Sequence, residues 1–208
     1  MREIVILGFA VDQNTQPIFD GAFGDAEIWT LNDWWNFYPR LTRPDRIYQI
    51  HEDYDKLTHV GKRDISGWQR RYNESKALIV SAKSFEGLDN QRVFDLEKAL
   101  RFFPKHLFTS SIAFAMMEAI MEHVDSITLR GVEMKADGEY GYQRPAICEL
   151  VDRCIVAGIK LDVRQVMQWR SSGFVDWSAV REVNMIYGRS CNGVAPTLSI
   201  GQPSVRSI

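Results

Sequence analysis

Cysteine is scarce. The 208 residues hold three, Cys148, Cys154 and Cys191, an odd number without metal-like pairing. That excludes a disulfide framework or a zinc knuckle and points to reduced thiols in a cytoplasmic protein, Cys148 and Cys154 falling on the core stripe of a helix. Long apolar runs are missing too. No stretch of 18 apolar residues occurs, and MREIVILGFA is too short and wrongly followed for a signal peptide, so the expectation is a soluble chain with no membrane partner. Neither sign of charge dominates: 25 Lys and Arg against 27 Asp and Glu leave a formal net charge of -2. A basic face for coating nucleic acid is therefore not expected, and the local cluster GKRDISGWQRR reads as a solvated helix face. Glycine-rich phosphate loops are absent. There is no P-loop and no G-x-S-x-G elbow, and a dinucleotide fingerprint needs three spaced glycines where the first apolar run offers only Gly8, which disfavours an NAD-type site. His, Cys, Asp and Glu show no metal-ligand spacing.

Six short, nearly continuous apolar runs are present: EIVILGFA (3–10), AEIWTLND (26–33), RIYQIHE (46–52), ALIVSA (77–82), SITLRGVE (126–133) and GIKLDV (158–163). Such runs suit strands buried on both faces of a parallel sheet. Helical spacing appears between them. In FTSSIAFAMMEAIMEH the apolar positions Ile112, Ala115, Met116, Ala119 and Ile120 form one stripe, with Thr109 or Ser110 as N-cap. In QRPAICELVDRCIVAG the stripe is Ile147, Leu150, Val151, Cys154 and Ile155, with Pro145 near the first turn and Gly158 as the stop. Alternating strands and helices predict an α/β fold, a Rossmann-like three-layer sandwich with a mainly parallel sheet over residues 1–164. DWSAVREVNMIYGRS then reads as a last amphipathic helix before a tail, so residues 165–208 form a C-terminal extension. A homo-oligomer formed through that extension stays open.

In such a sheet, ligands bind outside the carboxyl ends of the strands. The first of those loops carries Asp12, Gln13 and Asn14, which could bond a sugar, a base or only the local backbone. Asn32 and Asp33 close the second run ahead of Trp34 and Trp35. They offer either a base-reading amide beside a stacking indole or a helix cap followed by core aromatics. His51 and Glu52 close the third, a pair that can act as general base or merely satisfy local bonds. Thr109, Ser110 and Ser111 open a helix, where hydroxyls and free amides suit a phosphate; three hydroxyls exceed what one cap requires. The stretch GVEMKADGEYGYQRP (131–145) converges many hydrogen-bonding types on one connection. There Glu133 leaves the strand end, Tyr140 and Tyr142 can face a cleft, Glu139 is a candidate acid or base, and Arg144 can bind phosphate or carboxylate in a bidentate way.

EIVILGFA, EIWTLND, RIYQIHE, FTSSIAFAMMEAI and SITLRGVEMKADGEYGYQRP, followed by AGIKLDV, together resemble a family of small proteins common in bacteriophages and prophages. That family is in turn distantly similar to bacterial Rossmann-like sialyltransferases that use a cytidine nucleotide sugar. The resemblance runs over residues 3–163 and is most specific across 108–145. It implies a nucleotide held by Gly8, Asn32, Ser110, Ser111, Gly131 and Glu133, and residence in the host cytoplasm if the chain is phage-encoded. Two positions depart from the pattern: the first loop reads GFAVDQ, and the last histidine, His123, precedes the fifth strand.

The expected function is a nucleotide-sugar-dependent glycosyltransferase-like protein. Its ligand is a nucleotide or nucleotide sugar, its base His51 or Glu139, and nucleic acid enters only as an acceptor. A non-catalytic nucleotide-binding module is the alternative. A nucleotide-processing N-glycosidase using Glu52 or Glu139 is the second.

Overall fold

All six apolar runs form strands of one parallel sheet. The computed structural model describes residues 1–10, 18–60, 62–134, 139–164 and 166, together with 185–186 and 189–190. Its strands are β1 (Glu3–Leu7), β2 (Glu27–Leu31), β3 (Arg46–Gln49), the short β4 (His59–Val60) and β5 (Arg63–Asp64), then β6 (Leu78–Ser81), β7 (Gln91–Val93), β8 (Ser126–Arg130) and β9 (Lys160–Asp162). The helices are α1 (Trp68–Ser75), α2 (Leu96–Phe102), α3 (Ser111–Met121) and α4 (Glu139–Val156). The seven-stranded sheet runs β7-β6-β3-β2-β1-β8-β9, and every neighbouring pair is parallel. From β1 the chain builds outward through β7, then returns to lay β8 against the other side of β1. The order therefore reverses at the β1–β8 junction, where an open parallel sheet leaves a crevice beyond its carboxyl ends.

Alternation along each strand divides the core in two. Ile4 and Ile6 of β1 join Trp29, Leu31, Tyr48, Val80, Ile127 and Leu129 on the face covered by α3 and α4. Val5 and Leu7 point the other way, with Ile28, Ile47 and Ile79, against Trp34, Tyr54, Trp68 and Tyr72. This is a three-layer α/β sandwich of the Rossmann-like kind. Each fully buried Ile, Leu or Val contributes about 1.5–3 kcal/mol. The two central strands β1 and β2 are accordingly buried at all but their first residues, whereas the edge strands β7 and β9 are not. Gln49 in the middle is satisfied locally: it donates to the Tyr72 hydroxyl at 3.2 Å and accepts from the His51 amide at 3.0 Å. Cys148 and Cys154 are buried in the α4 core, and burial pushes the Cys154 thiol up to about 12.

Several elements differ from what the sequence suggests. Helix α4 starts at Glu139, so Pro145 lies inside it and not in its first turn. Proline there removes one intrahelical bond, and the burial of residues 143–148 offsets that loss. The basic stretch 61–71 is not one helix face. It spans β5 and the start of α1, because Gly67 at φ +69 separates the two. Residues Met185–Ile186 pair antiparallel with Arg189–Ser190, where the sequence suggests a helix. Apart from Val166, which is buried in the core, the rest of that extension lies outside the described residues, as does Cys191. No helix among the described residues is long and apolar enough to cross a membrane.

Candidate functional site

The close junction of β1 and β8 sets the site. Beyond the strands the Gly8 amide donates to the Arg130 carbonyl and the Ala10 amide to the Gly131 carbonyl, both at 2.8 Å, so the two strand ends stay zipped. Gly131 has φ +66, and a Cβ there would meet the Tyr38 hydroxyl at 2.7 Å and the Ala10 and Gly8 carbonyls at 2.8 Å. A Cβ on Gly8 would collide with the Gly131 carbonyl. Burial pushes the Tyr38 hydroxyl well above its ordinary range, so it stays protonated and donates to the Gly8 carbonyl. Both glycines thus allow backbone to approach backbone.

A cleft of about 670 Å³ opens above this junction. Its floor is Phe9 and Ala10 after β1, Leu31 and Asn32 at the end of β2, His51 after β3, and Gly131 to Met134 after β8. One wall is Phe37, Val60 and Arg63 on the α1 side of the sheet. The other is Ser110, Ser111 and Ile112 at the start of α3, with Gln143 of α4.

At the α3 wall the three hydroxyls have divided their tasks. Ser110 is the N-cap, its Oγ accepting from the Ala113 amide at 3.2 Å. Thr109 is buried behind it and does not line the cleft. Ser111, the first helical residue, lines the cleft at 7% exposure, and its hydroxyl has no hydrogen-bond partner among the described residues. The Ser111 and Ile112 amides, in the first turn, lack intrahelical acceptors. Across the floor, Asn32 is 5% exposed. Its carbonyl accepts from the Tyr72 hydroxyl at 3.1 Å, and its side-chain amide has no partner among the described residues. The His51 ring is half-buried and stacks on Tyr54 with 6.3 Å between centroids.

On the other wall, Phe9 and Phe37 stack at 4.2 Å and 7°. Asp33 sits at the cap position of the 3-10 turn Trp34–Asn36 but makes no cap bond. Its fully buried carboxylate instead pairs with Arg63 Nη1 at 3.2 Å and accepts from Asn36 Nδ2 at 3.3 Å. Trp34 and Trp68 are core residues, and Trp35 packs edge-on against Trp34.

Of the residues singled out from the sequence, Asn32, His51, Ser110, Ser111, Gly131 and Glu133 come together in this cleft. Gly8 lies beneath it as a packing glycine. Glu52 does not line it. Arg144 is 4% exposed, does not line the cleft, and donates from Nη1 to the Met134 carbonyl at 2.8 Å, which props the strand-end loop. Asp12 and the side chains of Glu139, Tyr140 and Tyr142 lie outside the described residues. Phe9, Phe37 and Arg63 were not legible beforehand. Arg63 lay inside a charge cluster, and no spacing in the sequence links it to Asp33.

No protein-family model, curated protein or solved structure matches the chain.

Proposed function

We propose that this protein binds a phosphorylated nucleoside in the β1–β8 cleft and acts as a nucleotide-sugar-dependent glycosyltransferase-like protein. The observation that carries the reading is the pair Asn32 and Ser111. Both are more than nine-tenths buried, both line one cleft, and neither side chain makes a hydrogen bond among the described residues. Polar groups that face a cleft without a protein partner are left to water, and each hydrogen bond a ligand makes to them contributes about 0.5–1.5 kcal/mol. The cleft volume falls within the roughly 300–1,000 Å³ of small-molecule sites. Phosphate suits the α3 start, where free amides and the helix dipole favour an anion. The Asn32 amide suits a base edge or a ribose hydroxyl. His51, whose side chain type ordinarily titrates near neutrality, is the base that would deprotonate an acceptor hydroxyl.

The test is thermal denaturation of the purified chain with nucleotides and nucleotide sugars, followed by an assay for released nucleotide. A ligand at 100 times its dissociation constant raises stability by about 2.7 kcal/mol. The expected result is such a shift in the wild type, lost in Asn32→Ala and Ser111→Ala. His51→Ala should keep the shift and lower turnover by roughly 10²–10⁴. A shift without turnover identifies a capture module, and release of free base identifies an N-glycosidase. No shift with any nucleotide rejects the site.

A further inference from the structure

We infer that Arg63 is the cleft's anion-reading residue and that buried Asp33 positions it for a ligand phosphate. The inference deepens the nucleotide reading above and rests on it. Arg63 carries the only permanent positive charge among the described residues lining the cleft. The guanidinium is held from two sides: Nη1 pairs with Asp33 at 3.2 Å, and Nε donates to the Val60 carbonyl at 3.3 Å. Nη2 donates no hydrogen bond among the described residues, and the side chain keeps 31% of its exposure.

The aromatic pair beside it does not explain its position. Cζ lies 5.6 Å from the Phe9 centroid and 5.3 Å from the Phe37 centroid. Two rings stacked face to face can be almost equally distant from one atom only if that atom sits beside the stack. Arg63 therefore meets the ring edges, which are the electropositive part of an aromatic ring, and not a face. A cation placed there gains little from the rings, so the ion pair with Asp33 holds it. Asn36 ties the same unit together by donating to Asp33 Oδ2 and to the Asp64 carbonyl, both at 3.3 Å, so β5 cannot drift from the β2 end. The result is a fixed fork with one open nitrogen on the wall opposite the α3 amides. A phosphate or diphosphate between them would meet donors from both sides.

The test is calorimetric titration of the full chain and of Arg63→Ala with ribonucleosides, ribonucleoside 5′-diphosphates and inorganic pyrophosphate. The wild type should bind diphosphates more tightly than nucleosides, and Arg63→Ala should lose roughly tenfold or more on diphosphates while leaving nucleosides unchanged. Asp33→Asn should show the same selective loss in smaller measure, which general destabilisation would not produce. Should Arg63→Ala fail to fold, Arg63→Gln decides by the same criterion. Equal diphosphate binding by wild type and variant, or a wild type indifferent to phosphate, overturns this inference and leaves the nucleotide site standing. A wild type that binds none of the probes overturns both.

Discussion

At the amino edge of the sheet, Arg2, Glu27 and Arg46 precede or open the strands, and Glu118 and Glu122 reach them from the far end of α3. Arg46 binds Glu118 at 2.6 Å and Glu122 at 2.7 Å, Arg2 binds Glu27 at 2.6 Å and Glu122 at 2.8 Å, and Arg92 also pairs with Glu118. The Arg46 guanidinium lies 4.3 Å from the Trp29 ring centroid, and the Trp29 indole donates to Glu27 at 2.8 Å. At the carboxyl edge the contrast is clear: among the described residues the Asn32 side chain and the Ser111 hydroxyl have no hydrogen-bond partner, and Arg63 keeps a nitrogen open. Both edges are rich in polar groups, yet at one the charges pair within the chain, although Glu118 Oε2 has no hydrogen-bond partner, and the other faces open volume. Polarity at a strand end therefore does not mark a ligand site; polarity that is left incomplete and lines open volume does.

Breaking the matched edge should have the largest effect on stability. Arg46→Ala leaves a nearly buried Glu118 with less compensation, and urea denaturation should show a loss of about 3 kcal/mol. Ligand-induced shifts at the other edge should be untouched. Gly131→Ala tests the carboxyl edge through its backbone. Left-handed φ and three contacts under 3 Å should cost about 2–3 kcal/mol and abolish ligand shifts as well, because the strand end must move.

Acid should act on the amino edge more gently. Hydrogen bonding to Arg2 holds the Glu27 carboxyl below its ordinary value. Burial opposes ionisation of Glu122, but the bonds and charges of Arg46 and Arg2 outweigh it and hold that carboxyl low too. Carboxylates depressed in the fold stabilise it above their unfolded value of 4.5 and lose that contribution as pH falls through the folded value. Stability should thus decline below about pH 4.5, and less steeply in Arg2→Ala, as read by chemical denaturation across pH. The smallest change belongs to Ser111→Ala. With no internal bond to lose, its stability should stay within about 0.5 kcal/mol of wild type. A loss of several kcal/mol would mean that the hydroxyl is structural and the contrast between the edges is false.

The strands were the most legible part, because burial on both faces leaves nothing but apolar residues at positions such as Ile4 to Leu7. Ser110 as a cap was legible for a similar reason: its chemistry is local. The start of α4 was not, since Pro145 is a local stop signal that burial of residues 143–148 overrides. Nor was the task of Arg144. A guanidinium in a polar loop looks like a ligand clamp until the fold closes around it and turns it onto the Met134 carbonyl. The cleft's own cation, Arg63, comes from a two-residue strand that no periodicity marks.

Residue order alone determined an α/β chain with parallel strands, because runs of apolar side chains can be buried only between two layers and helical stripes supply those layers. It also determined which residues stand at strand ends. Only the tertiary structure decided which of those ends share a cleft and which polar groups inside it lack a partner. Whether a side chain is satisfied depends on neighbours tens of residues away in sequence, and the order of strands in the sheet places them.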